Sequence, residues 1–225
     1  VRRSILVDSQ ADLLIFGMGE RALLEVAADL QQGVDIGNIQ DVQGTCYRVP
    51  GLDYVWDYLE LPSYAEAAKD KRKFSEAFKL EYLEQDAIRG RKLAQQNDEW
   101  CVVQNPPARP LSEAQMDEIY DLPYQRTWHP VYDKDGGIPA IQEVQFSLVS
   151  HRGCFGGCNF CAIISHEGRI IQRRSEASLL REAKILTRQP GFKGYIHDVG
   201  GPTANFRRTS CDGQLDRGTC RGKAC

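Results

Sequence analysis

Three cysteines within a stretch of eight residues constrain this chain more than any other feature of its sequence. Cys154, Cys158 and Cys161 form a C-x3-C-x2-C run, and Gly156 and Gly157 lie between the first two of them. Three thiolates at this spacing can hold three corners of a cubic iron–sulfur cluster and leave the fourth iron without a protein ligand. Glycine enters positive φ without steric cost, so the backbone here can wrap tightly around a bulky inorganic group.

Zinc and purely structural cysteines are the alternatives to an iron–sulfur cluster. Soft sulfur donors select iron–sulfur clusters or zinc over hard cations. A zinc site usually shows four protein ligands, often as two closely spaced pairs, whereas this run supplies three. The spacing therefore favours a 4Fe-4S cluster whose ligands are Cys154, Cys158 and Cys161.

A second cysteine group follows near the end of the chain. Cys211, Cys220 and Cys225 are arranged as C-x8-C-x4-C among Arg, Gly and Lys residues. Segments that are rich in cysteine and poor in apolar residues usually need a metal to order them. We expect a second metal site here, either iron–sulfur or zinc, with a fourth ligand beyond Cys225. Disulfide or redox cysteines and inert thiols are the alternatives.

Several segments around and before the triad carry a resemblance to a known family. They are residues 2–14, 105–107, 122–126, 129–130, 146–164, 166–169 and 191–205. Together these segments resemble the YgiQ-type radical S-adenosylmethionine (SAM) proteins, and the resemblance covers essentially the whole chain. It implies that the three cysteines of the triad carry a 4Fe-4S cluster and that SAM chelates the open iron.

The resemblance also implies which residues contact SAM. Phe160 matches the aromatic position beside the adenine, and Gly200 and Gly201 match a glycine-rich turn whose carbonyls face the methionine ammonium. Pro202 stands where the wider superfamily usually has glutamate, which places the details of the amine contacts in question. No side chain is assigned as a catalytic residue.

The function implied by the resemblance is that of a radical SAM enzyme. An electron delivered by a reduced partner such as flavodoxin or ferredoxin would cleave SAM, and the resulting 5′-deoxyadenosyl radical would abstract hydrogen from a substrate that the sequence does not identify. A non-catalytic iron–sulfur or zinc-binding module is one alternative. A radical SAM protein that modifies RNA is another, favoured by 13 Lys and Arg against 6 Asp and Glu from Ser150 onward. Basic and aromatic residues do not alternate as in single-strand binders, which disfavours nucleic acid.

The resemblance implies an α/β fold class, with a Rossmann-like N-terminal remnant followed by the first βα units of a partial (β/α)6 TIM-type radical SAM barrel. We expect residues 1–61 to be the C-terminal part of the Rossmann-like domain, 62–140 a mostly helical connecting region, and 141–225 the start of the barrel. Only 71 residues follow Cys154, whereas a six-unit barrel needs about 200. We therefore expect the chain to be an internal piece of a longer protein.

Local patterns predict individual elements. Residues 11–33 read as a strand, a turn and a helix that begins at Glu20, while 62–97 read as helical. Phe74, Phe78 and Tyr82 recur every four residues and predict a core-facing stripe. Further predictions are capping boxes at Ser63 and Ser112, a strand at 100–103, the first barrel strand at 143–150, a helix that begins near Ser175, and the second barrel strand at 195–199.

The sequence predicts a cytoplasmic protein with no membrane partner. It has no apolar run of the length that spans a bilayer and no apolar N-terminal segment of the signal-peptide kind. Its eight cysteines are mostly clustered, unlike those of small secreted disulfide scaffolds. Cluster thiolates also require a reducing compartment.

Overall fold

The structure is a computed structural model that describes residues 1–201, 207–208 and 211–221. It consists of two compact units. The first contains the described residues of Val1–Pro110, Phe155–Ile170 and Ser210–Cys225, and the second those of Leu111–Cys154 and Ile171–Thr209. Both units combine helices with strands, which confirms the predicted α/β class.

The first unit is built on a five-stranded mixed sheet. Its strands are β1 (Leu13–Ile15), β2 (Thr45–Val49), β3 (Tyr58–Glu60), β4 (Lys92–Asn97) and β5 (Trp100–Gln104), in the spatial order β1-β2-β5-β4-β3. Only β3 and β4 run parallel, and the other neighbouring pairs are antiparallel. The sheet therefore differs from the parallel sheet of a Rossmann-like domain, although it agrees with the α/β class.

Helices pack around this sheet. They are α1 (Ile5–Asp8), α2 (Glu20–Gln31), α3 (Tyr64–Lys69), α4 (Lys71–Leu83), α7 (Ile163–His166) and α9 (Gln214–Arg217). The predicted start of α2 at Glu20 is confirmed, and Gly33 follows its end at φ 84°. The capping box at α3 is also confirmed, because the Glu66 N–H donates to the Ser63 hydroxyl while the Ser63 N–H donates to the Glu66 carboxylate.

The apolar core of this unit lies in two clusters. One cluster covers the sheet and contains Tyr47, Val55, Ala94 and Val103. The other lies beneath α2 and contains Ala22, Val26, Ile39 and Val42. The predicted core role of the α4 stripe is wrong, because Phe74 and Phe78 are 46% and 58% exposed and it is Ala77 that is buried.

The helical prediction for residues 62–97 is also wrong in its last part. Residues 92–97 form β4, which pairs with β5 on one side and with β3 on the other. Asp98 adopts φ 56° in the tight connection between β4 and β5. Pairing on both edges overrides the weak strand propensity of Lys-Leu-Ala-Gln-Gln-Asn, because strand preference depends on neighbours more than on intrinsic backbone tendency.

The second unit contains helices α5 (Glu113–Tyr120), α6 (Ile141–Val144) and α8 (Glu176–Leu186), and strands β6 (Ser147–Val149), β7 (His151–Arg152), β8 (Gln172–Arg173) and β9 (Asp198–Gly200). Strands β6 and β9 pair in parallel, whereas β7 and β8 pair antiparallel. Phe146 and Leu148 pack against Leu186 of α8 to form the core. Capping by Ser112 and Ser175 is as predicted.

Both predicted barrel strands are shorter than expected, and the described residues form no barrel. The prediction of one strand over 143–150 is wrong in its first part, where α6 ends at Val144 and β6 begins at Ser147. Pro139 lies just before α6, and proline with its fixed φ favours the first turn of a helix. In the ranges that the structure describes, no helix is both long and apolar enough to cross a bilayer.

Candidate functional site

The cysteine loop and the glycine turn begin at the same edge of one strand pair. Strands β6 and β9 are parallel neighbours with Val149 opposite Gly200. The Ser150 N–H, just after β6, donates to the Gly200 carbonyl at 2.7 Å. Carboxyl ends of adjacent parallel strands lie together, and ligand sites of α/β folds gather at that edge. The segment that leads to Cys154 and the turn at Gly200 and Gly201 are thus brought together in the second unit.

A buried arginine that sequence reasoning missed fixes the backbone at the end of β6. Arg174 is fully buried, and its backbone N–H donates to the Ser150 carbonyl at 3.0 Å. Its guanidinium donates to the Val149 carbonyl at 3.0 Å and to the Ser178 hydroxyl at 2.9 Å. Arg174 therefore holds Val149 and Ser150 through two hydrogen bonds, and a third, to Ser178, fixes its own guanidinium.

The charge of Arg174 is balanced within the same unit. Glu182 of α8 forms ion pairs with Arg174 and Arg126, each at 2.5 Å. The Arg174 guanidinium also lies 4.2 Å from the ring centroid of Tyr120, within the range of a cation–π contact. The signal in the sequence was a glutamate on the apolar face of the predicted helix, because Glu182 lies beside Ala183 and one turn before Leu186.

His151 gives a steric reason for glycine at position 201. Its imidazole is fully buried, with Nδ1 2.9 Å from the Ser150 hydroxyl. A Cβ atom at Gly201 would overlap the His151 ring, so any larger residue would displace it. The Gly200 carbonyl already accepts from Ser150 N–H, and a second lone pair is left for a ligand. The glycine turn is thus explained in part by packing, independently of any cofactor.

The cysteines of the triad differ in exposure. Cys154 is 7% exposed, Cys158 is exposed and Cys161 is partly buried. The Cys161 N–H donates to the Cys158 carbonyl at 3.1 Å, which makes a tight turn. Gly153 and Gly157 have φ values of 88° and 58°, the conformation that makes glycine necessary in the loop. Phe160 is 92% exposed.

The three thiols of the triad are of the kind that binds an iron–sulfur cluster, but their side chains are not arranged around a common centre. Among the residues that the structure describes, no group of three or more His, Cys, Asp or Glu side chains is arranged to hold a metal ion. Three thiols in one glycine-rich loop nevertheless supply the ligands that such a cluster takes. Of the second group, Cys211 and Cys220 are exposed, and Cys225 lies outside the described residues.

Two other cysteines are unsuited to ligation. Burial in the first unit raises the pKa of the Cys46 thiol to about 12, with a smaller contribution from the nearby Glu81 carboxylate. Burial also raises the pKa of Cys101, whose thiol donates to Gln96 at 2.7 Å. Because the thiolate is the nucleophile and the metal ligand, these two positions are chemically inert beside the exposed cysteines.

Comparison with known proteins gives a family and a set of long relatives. Residues 1–147 match the family described as Radical SAM N-terminal. A UPF0313 protein of Clostridium botulinum (strain 657) is 54% identical over 225 residues, which is all of this chain and 35% of that protein. A UPF0313 protein of Clostridium perfringens (strain 13) is 54% identical over 226 aligned residues and is 34% covered. The chain thus spans about a third of the length of these relatives. No solved structure matches it.

Proposed function

Since this chain belongs to the Radical SAM N-terminal family, we propose that it is part of a radical SAM enzyme whose C-x3-C-x2-C loop binds a 4Fe-4S cluster and SAM. The family match ends at residue 147, before the triad. The assignment of Cys154, Cys158 and Cys161 as ligands therefore rests on the chemistry of the donor set and on the position of the loop.

The observation that carries the proposal is the common edge of β6 and β9. The cysteine loop follows one strand and Gly200-Gly201 follow the other, and Ser150 N–H and the Gly200 carbonyl join them at 2.7 Å. Helix α8 lies between these strands in sequence, so β6, α8 and β9 form a βαβ unit. We propose that this is the first unit of the partial (β/α)6 barrel and that the rest of the whole protein supplies the others.

Each proposed ligand contact has a specific role. The three thiolates of the triad would hold the cluster, which supplies the electron that cleaves the SAM sulfonium and so yields a 5′-deoxyadenosyl radical. The exposed ring of Phe160 would cover the adenine, and the carbonyls of Gly200 and Gly201 would accept from the methionine ammonium. Arg174 would hold Val149 and Ser150 so that the loop begins at a fixed point. The substrate would be bound by parts of the whole protein beyond these residues.

The exposed side of the loop suits an external reductant. Cys158 and Phe160 are both solvent-exposed, and a small donor such as reduced flavodoxin or ferredoxin could approach there. We further propose that Cys211 and Cys220 bind a second metal together with Cys225. A reducing, cytoplasmic compartment is the setting in which such thiolates stay intact.

Anaerobic reconstitution of the full-length protein tests this function. Iron content, visible absorbance and the electron paramagnetic resonance spectrum of the reduced protein are measured with and without SAM, and 5′-deoxyadenosine is quantified after dithionite is added. We expect SAM to change the resonance and the nucleoside to form. Cys158→Ser should lose the SAM-responsive signal, because two thiolates cannot retain a cubane with an open iron.

Cys101→Ser is the matched control, because a serine hydroxyl can still donate to Gln96 and the site is remote from the triad in sequence. It should behave as the unaltered protein. Equal iron and unchanged colour in Cys158→Ser would overturn the triad assignment. A cluster that neither responds to SAM nor releases 5′-deoxyadenosine would instead identify a structural iron–sulfur module.

A further inference from the structure

Three arginines contribute to the lining of a small cavity in the first unit. It has a volume of about 30 Å³ and lies where the end of α4 meets the segments around residues 169 and 220. Its charged lining residues are Asp86, Arg89, Arg169 and Arg221, and the Tyr82 ring completes one wall. Three guanidinium groups against a single carboxylate leave this lining with a net charge of +2.

The one carboxylate in the lining, that of Asp86, already accepts hydrogen bonds from the protein with both oxygens. Asp86 Oδ1 accepts from the backbone N–H groups of Ile88 and Arg89 at 2.9 and 3.0 Å. Asp86 Oδ2 accepts from the Thr219 N–H at 2.7 Å and from the Thr219 hydroxyl at 2.8 Å. Burial raises the pKa of Asp86, but these hydrogen bonds outweigh burial and hold the pKa below its usual value. Asp86 is thus ionised and serves to fix the loop at Thr219.

Arg169 is only partly satisfied by the protein. Its Nη1 donates to the Cys220 carbonyl at 2.9 Å. Its Nε and Nη2 are shielded from solvent and have no hydrogen-bond partner among the described residues. These two nitrogens form one edge of the guanidinium, and paired N–H groups of this kind grip carboxylates and phosphates bidentately. Buried N–H groups are rarely left without an acceptor in native proteins.

A second donor with no partner lines the same cavity. The Tyr82 hydroxyl is shielded from solvent and has no hydrogen-bond partner in the part of the chain that the structure describes. Glu84, at the end of α4, accepts instead from the Arg91 guanidinium at 2.6 Å and from the Arg91 N–H at 2.9 Å. The described residues therefore present donors and positive charge here, and none of them accepts from Arg169 Nε, Arg169 Nη2 or the Tyr82 hydroxyl.

We propose that this cavity binds the phosphate group of a small ligand or free inorganic phosphate. A phosphate oxygen pair accepts from Arg169 Nε and Nη2, and a third oxygen accepts from the Tyr82 hydroxyl. A divalent anion neutralises the net +2 of the lining, which a water molecule does not. The cavity of about 30 Å³ opens to solvent, so the anion would be held partly within it and a phosphate ester would extend outward.

Calorimetric titration of the full chain with inorganic phosphate at constant ionic strength tests the site. We expect saturable binding that Arg169→Gln weakens by about tenfold or more, because charge-assisted bidentate hydrogen bonds are lost. Tyr82→Phe should weaken it by about threefold to tenfold, the effect of one hydrogen bond. This second variant removes only a hydroxyl that has no partner, so the fold is kept even if Arg169→Gln is unstable.

Arg72→Gln is the matched control, because this arginine is exposed on α4 away from the cavity. It should bind phosphate as the unaltered chain does. A second titration with glycerol phosphate distinguishes the sources: tighter binding than inorganic phosphate identifies an ester ligand, and weaker binding identifies the free ion. The proposal is overturned if phosphate binds no better than chloride, if acetate binds more tightly than phosphate, or if Tyr82→Phe and Arg169→Gln bind as the control does, since water would then fill the cavity.

Discussion

Glu182→Gln probes the buried ion pair that supports the start of the cysteine loop. Glu182 is buried on α8 and pairs at 2.5 Å with Arg174, whose side chain is 0% exposed. Glutamine keeps the size of the side chain and one acceptor oxygen but removes the negative charge. The variant therefore leaves the Arg174 guanidinium buried without a full counter-charge, while the backbone carbonyls at 149 and 150 still depend on it.

The expected loss of stability depends on the contacts that Arg174 retains in the variant. Breaking a buried ion pair by removing one partner costs about 3–5 kcal/mol. Arg174 retains the Val149 carbonyl, the Ser178 hydroxyl and the Tyr120 ring, and the amide of glutamine still offers one acceptor. Because these contacts remain, we expect the free energy of unfolding of the second unit to fall by about 2–3 kcal/mol, at or just below the lower limit of that range. With a urea dependence of about 1–2 kcal/mol per molar, the midpoint should fall by about 1–3 M.

Urea denaturation followed by circular dichroism measures this change, with Glu176→Gln as the control. Glu176 lies on the same helix and is 85% exposed, and its only described ion pair, with Arg207, has a length of 3.5 Å. Its loss should cost no more than about 0.5 kcal/mol. The double variant Arg174→Met/Glu182→Leu should recover part of the loss, because the fully buried guanidinium of Arg174 is removed together with its counter-charge, while Arg126, whose side chain is 15% exposed, still loses its partner. Equal midpoints for Glu182→Gln and Glu176→Gln would refute the role given to the ion pair.

Three further predictions concern a buried thiol, the glycine turn and a buried carboxylate. With a pKa of about 12, Cys46 has a thiolate fraction of about one in ten thousand at pH 8, so mass spectrometry after iodoacetamide treatment should find Cys158 modified long before it; similar rates would contradict its burial. Gly201→Ala should lower the free energy of unfolding by about 1–3 kcal/mol, because its Cβ would overlap the buried His151 imidazole. Gly200→Ala should lower it less, because its Cβ meets only the movable Asp198 carboxylate. The opposite order in urea denaturation would disprove the packing argument. Asp86→Asn should cost about 1.5–3 kcal/mol at pH 7. Because the folded state lowers the pKa of Asp86, this difference is complete above the unfolded pKa and disappears as the pH falls through the folded pKa; a pH-independent difference between the two urea curves would exclude that cause.

Local hydrogen-bonding patterns explain which elements the sequence predicted well. The capping boxes at Ser63 and Ser112 form because the two partners lie only three residues apart, so the chain needs no tertiary information to make them. The end of α2 depends likewise on Gly33. Periodicity, in contrast, identifies a helix face without identifying what covers it. The stripe of Phe74 and Phe78 on α4 is regular, yet both rings are largely exposed.

Features that depend on residues distant in sequence could not be predicted in the same way. The strand β4 has only Leu93 and Ala94 as buried apolar residues and acquires its conformation from pairing on both edges. The arginine cavity joins residues about 130 positions apart through the Asp86–Thr219 hydrogen bonds. Neither the order of the strands nor that contact is encoded in any short motif. The sequence therefore predicts the cysteine triad from its spacing but does not predict the cavity at Arg169.

Under the proposed function the cysteine spacing would determine the ligand chemistry, while other residues determine where the cysteine loop begins. Cys154 lies only four residues after Ser150, and the Ser150 backbone is held on both sides, by the Gly200 carbonyl and by the Arg174 N–H. A loop anchored this close to its first ligand can rearrange around a cluster only beyond Cys154, where Gly156 and Gly157 supply the freedom to do so. Under the proposed function, buried Cys154 would be the fixed ligand, and the exposed Cys158 and the partly exposed Cys161 would be the ones that move. Weakening the Arg174–Glu182 ion pair should accordingly loosen the anchored end of the loop. We therefore expect such a variant to retain less of the cluster, although neither residue is a proposed ligand.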